Sequence, residues 1–418
     1  MKNVTAFFTG FFSGSRPQKS AKGLLSGILV LVLCISMAGC AGPFGSDEKV
    51  ETEVHKIGVI VYNTSDEEVI GFREYLQGYI EDNFEMVKFI YSGSIRNHEE
   101  EMAFIQSACD DGVEGFLSFL TYDLPAEVAL CEKNEAYYLL ASGTVSAEDF
   151  EAVEENPWFL GAFGPGQPFE FQAGADMARY FIREKTGNRY FVLSGGAPLG
   201  NEMHYQRTLG ILDTLSSTYG VSFTPPRAEL AATEVPVTVS TDRVTVTICP
   251  GYITFDNYLE SARESFQAGT YDVVLSVLPP EGMLPTIGKT PLGVVDSYNT
   301  RNLQLVTDGV LKFVVGKYNS MIGPAFALML NAVTGYAEDF RDNGKAIQVI
   351  QGFWVSDSPE DYNEKYALST SAAMNAYNFD DLSGVIRIFH EDANLNDLCA
   401  LAEASSYRAV LARRSNKS

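Results

Sequence analysis

The residues of this chain that could carry chemistry are few and scattered. Its four histidines, His55, His98, His204 and His390, form no His-Glu-x-x-His pair and no His/Cys cluster at metal-ligand spacing. No Gly-x-Ser-x-Gly turn presents a serine nucleophile, which weakens a hydrolase reading. Gly288-Lys289-Thr290 ends like a phosphate-binding loop, but the glycine that must open such a loop would fall at Met283. Gly195-Gly196 and Gly164-Pro165-Gly166 lack the dinucleotide fingerprint and read as turns. Asp392, Asn394 and Asn396 alternate like calcium ligands, and Glu403 falls at the twelfth position. The sixth position needs glycine and is Asp397, so a capped loop before a helix is expected. This inventory argues for neither catalysis nor a cofactor or resident metal.

Composition describes the body that must position such residues. With 418 residues, 46% of them hydrophobic, the chain can fill two cores. Thirty Lys plus Arg against 54 Asp plus Glu give a net charge of -24, which excludes nucleic acid and anionic membrane surfaces as electrostatic partners. Residues 1–39 hold Lys2, Arg16, Lys19 and Lys22 and no acid. Removing those four bases leaves 26 against 54 acids, a net charge of -28.

Those first residues read as an address. The apolar run from Gly23 to Ala38 is shorter than the roughly 20 residues that span a bilayer, as in a secretory signal. Met37-Ala38-Gly39-Cys40 resembles the bacterial lipobox, which implies diacylation of Cys40 as the mature N-terminus. Residues 1–39 are then a signal peptide and 40–54 a small, polar tether, placing the globule outside a cytoplasmic membrane. Cys109, Cys131, Cys249 and Cys399 remain at scattered positions; export permits disulfides, and buried thiols are expected.

From His55 onward, strand and helix patterns alternate. Lys56 to Tyr62 is a near-continuous apolar run, as a strand buried on both faces requires. Asn63 to Asp66 suits a loop and helix cap, and Val69, Phe72, Leu76 and Tyr79 recur at helical spacing. Strands at Met86–Tyr91, Val113–Leu120 and Tyr137–Ala141 alternate with helices at Glu99–Cys109 and Pro125–Lys133. Trp158–Phe163 is expected to be a crossing segment between lobes. A second alternation follows, with strands at Arg189–Leu193, Val244–Cys249, Tyr271–Val277, Pro291–Val295 and Leu311–Val315, and a β-hairpin insertion within Pro225–Val246. One further strand is expected at Ala346–Val355. The fold class is α/β, two doubly wound parallel-sheet lobes with a cleft where the carboxyl ends of the sheets face each other. The expected division is 55–160 with 297–316 as the N-terminal lobe, 161–296 with 317–355 as the C-terminal lobe, and 356–418 as an acidic extension.

The order of several segments resembles the type I periplasmic binding proteins, especially the ribose-like sugar-binding lipoproteins of bacterial ABC importers. The likeness covers roughly 55 to 335. It rests on Ile57 to Val61 with Tyr62-Asn63, on Gly200-Asn201 with Arg207 to Gly210, on Leu292 to Asp296, and on Lys317 to Gly323. The resemblance implies two lobes joined by three crossings, closing like a hinge on a small ligand and docking on a membrane permease. It implies ligand contacts from Tyr62, Asn63, Thr121, Tyr122, Asp123, Ser142, Asn201, Arg207, Asp296 and Lys317. Arg207 would reach into the cleft with its planar fork of donors, and Asp296 would accept from ligand hydroxyls.

Two departures bear on the ligand. Sugar binders of this type usually carry an Asp-Arg pair after the fourth strand, where this chain has Ala141-Ser142-Gly143, and often Asn-Asp where it has Leu278-Pro279-Pro280. A flatter ligand such as a nucleoside or purine tolerates those changes, and the stretch from Gly251 through Phe255-Asp256 to Val273-Val274-Leu275 resembles the nucleoside-binding lipoproteins of the same superfamily. The leading expectation is a monomeric binding protein that delivers a small molecule, most simply a sugar, to an importer. A ligand sensor for a membrane receptor and a lipid-anchored glycosidase are the competing functions.

Overall fold

The computed structural model describes residues 53–251 and 256–415. The signal peptide, Cys40 and its lipobox, and the tether up to residue 52 lie outside the described residues, as does Phe255.

Continuous apolar runs become strands buried on both faces, and polar turns stop them. Along the chain these are β1 (His55–Val61), β2 (Val87–Ser94), β3 (Gly115–Ser118), β4 (Tyr137–Leu140), β5 (Phe159–Gly164), β6 (Arg189–Ser194), β7 (Val237–Ser240) and β8 (Thr245–Pro250). They continue as β9 (Val273–Ser276), β10 (Leu292–Ser297), β11 (Leu311–Lys317), β12 (Ile347–Ile350) and β13 (Trp354–Ser356). One sheet runs β12-β5-β4-β3-β1-β2 and the other β13-β11-β10-β9-β6-β8-β7. The first is wholly parallel; the second is parallel except for β7 on β8 and β13 on β11. The doubly wound α/β expectation holds, and the hairpin within the second lobe is β7–β8.

Three expectations change. Trp158–Phe163 is no crossing segment: Phe159–Gly164 is a strand between β4 and β12. Gly161 allows that close approach, since its φ is +135° and a Cβ there would lie 1.9 Å from the Ile347 carbonyl oxygen. Ala346–Val355 is not one strand: it breaks at Gln351–Phe353, leaving β12 in the first sheet and β13 in the second. The assignment of 297–316 and 317–355 is largely reversed. The helix Thr300–Thr307 returns β11 beside β10, completing a βαβ unit in the second sheet, while the helix Gly323–Asn331 packs under β3, β4 and β5 of the first. The chain therefore passes between sheets three times, after β5, after β11 and after β12.

The extension past Ser356 is a folded strap. Its helix Pro359–Ser369 packs on the second lobe, where the Tyr362 hydroxyl donates to the Asn299 carbonyl at 3.1 Å. Later segments pack on the first lobe, where Tyr75 donates to the Tyr377 carbonyl at 2.9 Å and Asn331 to that of Val385 at 2.9 Å. Between them, the Ser405 carbonyl accepts from Tyr318 at 3.1 Å and from the Trp354 indole at 2.9 Å, tying the second and third crossings together. Tyr318 stacks on Trp354 with ring centres 3.9 Å apart. Asn394 caps the helix Leu395–Glu403 by accepting from the Asn396 and Asp397 amides, so the calcium-like loop is a helix start.

Candidate functional site

The facing strand ends gather the charged residues of the cleft. Lys317 closes β11 and is 4% exposed. Its ammonium donates to Glu68 Oε1 at 3.0 Å and to the Ser142 carbonyl at 3.2 Å, both on the first lobe. Ser142 follows β4 and is buried, and its hydroxyl has no hydrogen-bond partner among the described residues. A second pair joins the lobes beside it: Arg301 reaches Glu67 at 3.1 Å while also contacting Glu281.

Asp296, at the end of β10, is buried and accepts from the Ser297 amide at 2.7 Å and from Asn302 at 2.7 Å. Burial, and next the charge of Asp66, push its carboxyl up to about 8. Asp66 caps the first helix by accepting from the Glu68 amide at 2.9 Å. Burial and then Glu68 raise its carboxyl to about 6. Tyr62 shares a hydrogen bond with Asp66, and its phenol is raised by burial, then by Glu68 and Asp66. These acids press on one another because the two nearby cations already have carboxylate partners.

Arg207 stands in the helix Glu202–Tyr219, and its side chain is built into the floor of the second lobe. Nε donates to Glu170 Oε2 at 2.5 Å and Nη1 to the Val277 carbonyl at 2.8 Å, while the guanidinium lies 5.7 Å from the centre of the Phe353 ring. The expected reach into the cleft is thus partly consumed by a buried ion pair. Glu170 Oε1 and His204 Nδ1 are left without partners among the described residues. Desolvation, then Arg207 and Lys317, lower the His204 imidazole to about 3, so the ring is neutral.

The structure sets Lys317 against Ser142, Tyr62 beside Asp66 and Asp296, and Arg207 and Lys317 near His204. The other expected contacts do local work. Asn63 is exposed and accepts from the Ser65 amide, Asp123 caps the helix Leu124–Lys133, and Asn201 caps the helix Glu202–Tyr219. Thr121 donates to Glu127, and Tyr122 is 48% exposed. Sequence reasoning missed Asp66, Glu68, Glu170, His204 and Phe353. Only Asp66 carried a signal, as the acid closing a polar turn, and it pointed to a cap.

No family model matches the sequence, and no curated protein matches it. Solved structures do. A galactofuranose-binding protein superposes with a TM-score of 0.54 at 11% identity, over 76% of this chain and 99% of the other. The periplasmic binding component of an arabinose ABC transporter from Shewanella sp. ANA-3, holding arabinofuranose, gives 0.55 at 12% identity over 76% and 97%. An ABC transporter solute-binding protein from Bacillus halodurans C-125, holding myo-inositol, gives 0.53 at 14% identity over 76% and 99%.

Proposed function

We propose that this chain, which has the type I periplasmic-binding-protein fold, binds a sugar-like small molecule between its lobes and is not an enzyme. The fold follows from the two sheets, their three crossings and the superpositions above. The observation that carries the function is the contact of Lys317, at the end of β11, with Ser142 and Glu68 of the other lobe, with the buried Asp296 ending the neighbouring strand β10. Carboxyl groups, an ammonium and hydroxyls between two lobes suit a polyhydroxylated ligand, whose hydroxyls both donate and accept. The fold neighbours hold furanoses and inositol, which supports the same class here. In this reading Cys40 carries the lipid that keeps a monomeric binding protein at the outer face of the cytoplasmic membrane, beside an ABC permease. Among the described residues no helix is long and apolar enough to cross a membrane.

A second reading has one specific support. Ala141 and Leu278 are buried and apolar where polyol binders carry polar side chains, which favours a nucleoside or purine. Thermal unfolding of the chain from Ser46 onward, against pentoses, hexoses, inositols, nucleosides and purines, separates the two. A ligand at about 100 times its Kd adds roughly 2.7 kcal/mol, a rise of a few degrees. A rise confined to nucleosides moves the site to the second reading. No rise with any member of the panel overturns both and leaves the fold standing.

A further inference from the structure

Two carboxyls face each other inside the first lobe. Glu101, on the helix His98–Asp110, and Glu127, on the helix Leu124–Lys133, are both 0% exposed, and neither is paired with a Lys or Arg among the described residues. Glu127 has donors on both oxygens. Its Oε2 accepts from Thr121 Oγ1 at 2.7 Å and from the Tyr138 hydroxyl at 2.8 Å. Its Oε1 accepts from the Tyr122 amide at 2.8 Å and the Asp123 amide at 2.9 Å. One carboxylate thereby holds three consecutive residues of the loop that leaves β3 at the cleft.

Glu101 is supplied poorly. The Tyr138 hydroxyl, whose single proton is directed to Glu127, is 3.4 Å from Glu101 Oε1, and Oε2 has no hydrogen-bond partner among the described residues. Two adjacent carboxylates this deeply buried do not both stay charged; one takes a proton. The two carboxyls flank one Tyr138 hydroxyl, at 3.4 Å from Glu101 and 2.8 Å from Glu127, so a proton on Glu101 sits beside Glu127. Burial first, and the charge of Glu127 next, push the Glu101 carboxyl up to about 9. The titratable groups around it are Tyr138 on β4, Tyr122 on the loop, Cys131 beside Glu127, and Glu100, His98 and Cys109 on its own helix. Burial raises the phenols of Tyr138 and Tyr122 and the thiols of Cys131 and Cys109, so these stay neutral while Glu101 titrates.

We propose that Glu101 and Glu127 share one proton and that this proton-bridged pair positions the cleft loop 121–123, so that losing the proton releases the loop. The consequence for ligand affinity rests on the proposed cleft function; control of the loop does not. Above the titration of Glu101 two negative charges meet away from water, and their repulsion displaces Glu127 from the donors of the loop.

The test needs no ligand. Amide hydrogen exchange of Tyr122 and Asp123, corrected for the intrinsic pH dependence, is followed from neutral pH to about one unit above the Glu101 titration in wild type, Glu101→Gln and Glu127→Gln. Wild type is expected to lose protection roughly tenfold and reversibly across that range. Glu101→Gln, whose amide donates without titrating, keeps protection throughout, and Glu127→Gln lacks it at every pH. An identical pH profile in wild type and Glu101→Gln overturns the proposal. Infrared spectroscopy covers the case of an unstable variant: the neutral-pH difference between wild type and Glu101→Gln must contain a protonated carboxyl stretch, and its absence also overturns the proposal.

Discussion

The Lys317 ammonium lies 3.0 Å from Glu68 Oε1 and 3.2 Å from the Ser142 carbonyl, so a cation of the second lobe is housed by the first. Together with Arg301 on Glu67, this makes the start of the first helix the place where the second lobe grips its partner. In the proposed function, ligand groups join or displace the ion pairs that hold the lobes together.

Lys317→Met removes the ammonium and leaves Glu68 facing a desolvated cleft. Loss of one partner from a buried pair costs about 3–5 kcal/mol. Urea unfolding is expected to show a loss near the lower figure, because Glu68 keeps some exposure. Small-angle scattering should show a larger radius of gyration in the unliganded variant. An unchanged radius would mean that this pair does not hold the lobes together.

In the proposed function, Asp296 couples ligand binding to protons. With its carboxyl raised to about 8 it is protonated in the free protein at neutral pH. Ligand hydroxyls that donate to it favour the carboxylate, so binding at neutral pH releases protons. Calorimetry in buffers of different ionisation enthalpy reads this directly, and Asp296→Asn is expected to abolish it.

The same shift acts on stability. The unfolded chain gives up the Asp296 proton near the ordinary value of 3.8, and the folded chain only near 8. The group's contribution is therefore fully present below 3.8 and is lost as pH rises to about 8; Asp66 acts likewise up to about 6. Thermal stability should fall across this window, and less steeply in Asp296→Asn. Equal slopes would contradict the burial-driven shift.

Arg207 cannot be tested by simple removal. Arg207→Met strands Glu170 in the interior and is expected to cost about 3–5 kcal/mol, whereas replacing both residues by Met recovers most of the loss. Ligand response should be measured in the double variant, since its loss in the single one reports a damaged lobe. Additive losses in urea unfolding would show that the pair is not coupled.

The strap offers a reporter for the hinge. The sequence has two tryptophans, and Trp354 is buried between the second crossing and Ser405 while Trp158 lies in the first lobe. In a Trp158→Phe background, ligand closure should change the Trp354 emission. Tyr318→Phe removes one donor to the Ser405 carbonyl and is expected to cost about 1 kcal/mol in urea unfolding.

Strands such as Lys56–Tyr62 and the alternation of both lobes were legible because burial on two faces leaves a local trace, a short run of apolar residues between polar turns. Tyr62, Ser142, Asp296 and Lys317 were reached through a resemblance, and the structure sets Lys317 on Ser142 and Tyr62 near Asp296, whereas Asn63, Asp123 and Asn201 cap their own turns as short polar side chains do anywhere. What the chain could not disclose locally is pairing. Glu170 lies 37 residues from Arg207, and Glu68 lies 249 residues from Lys317. Nothing in either neighbourhood distinguishes these acids from the many solvated ones. Only strand order decides which carboxylate loses its water to which cation, because ion pairing depends on distance in space while sequence pattern records only burial along the chain.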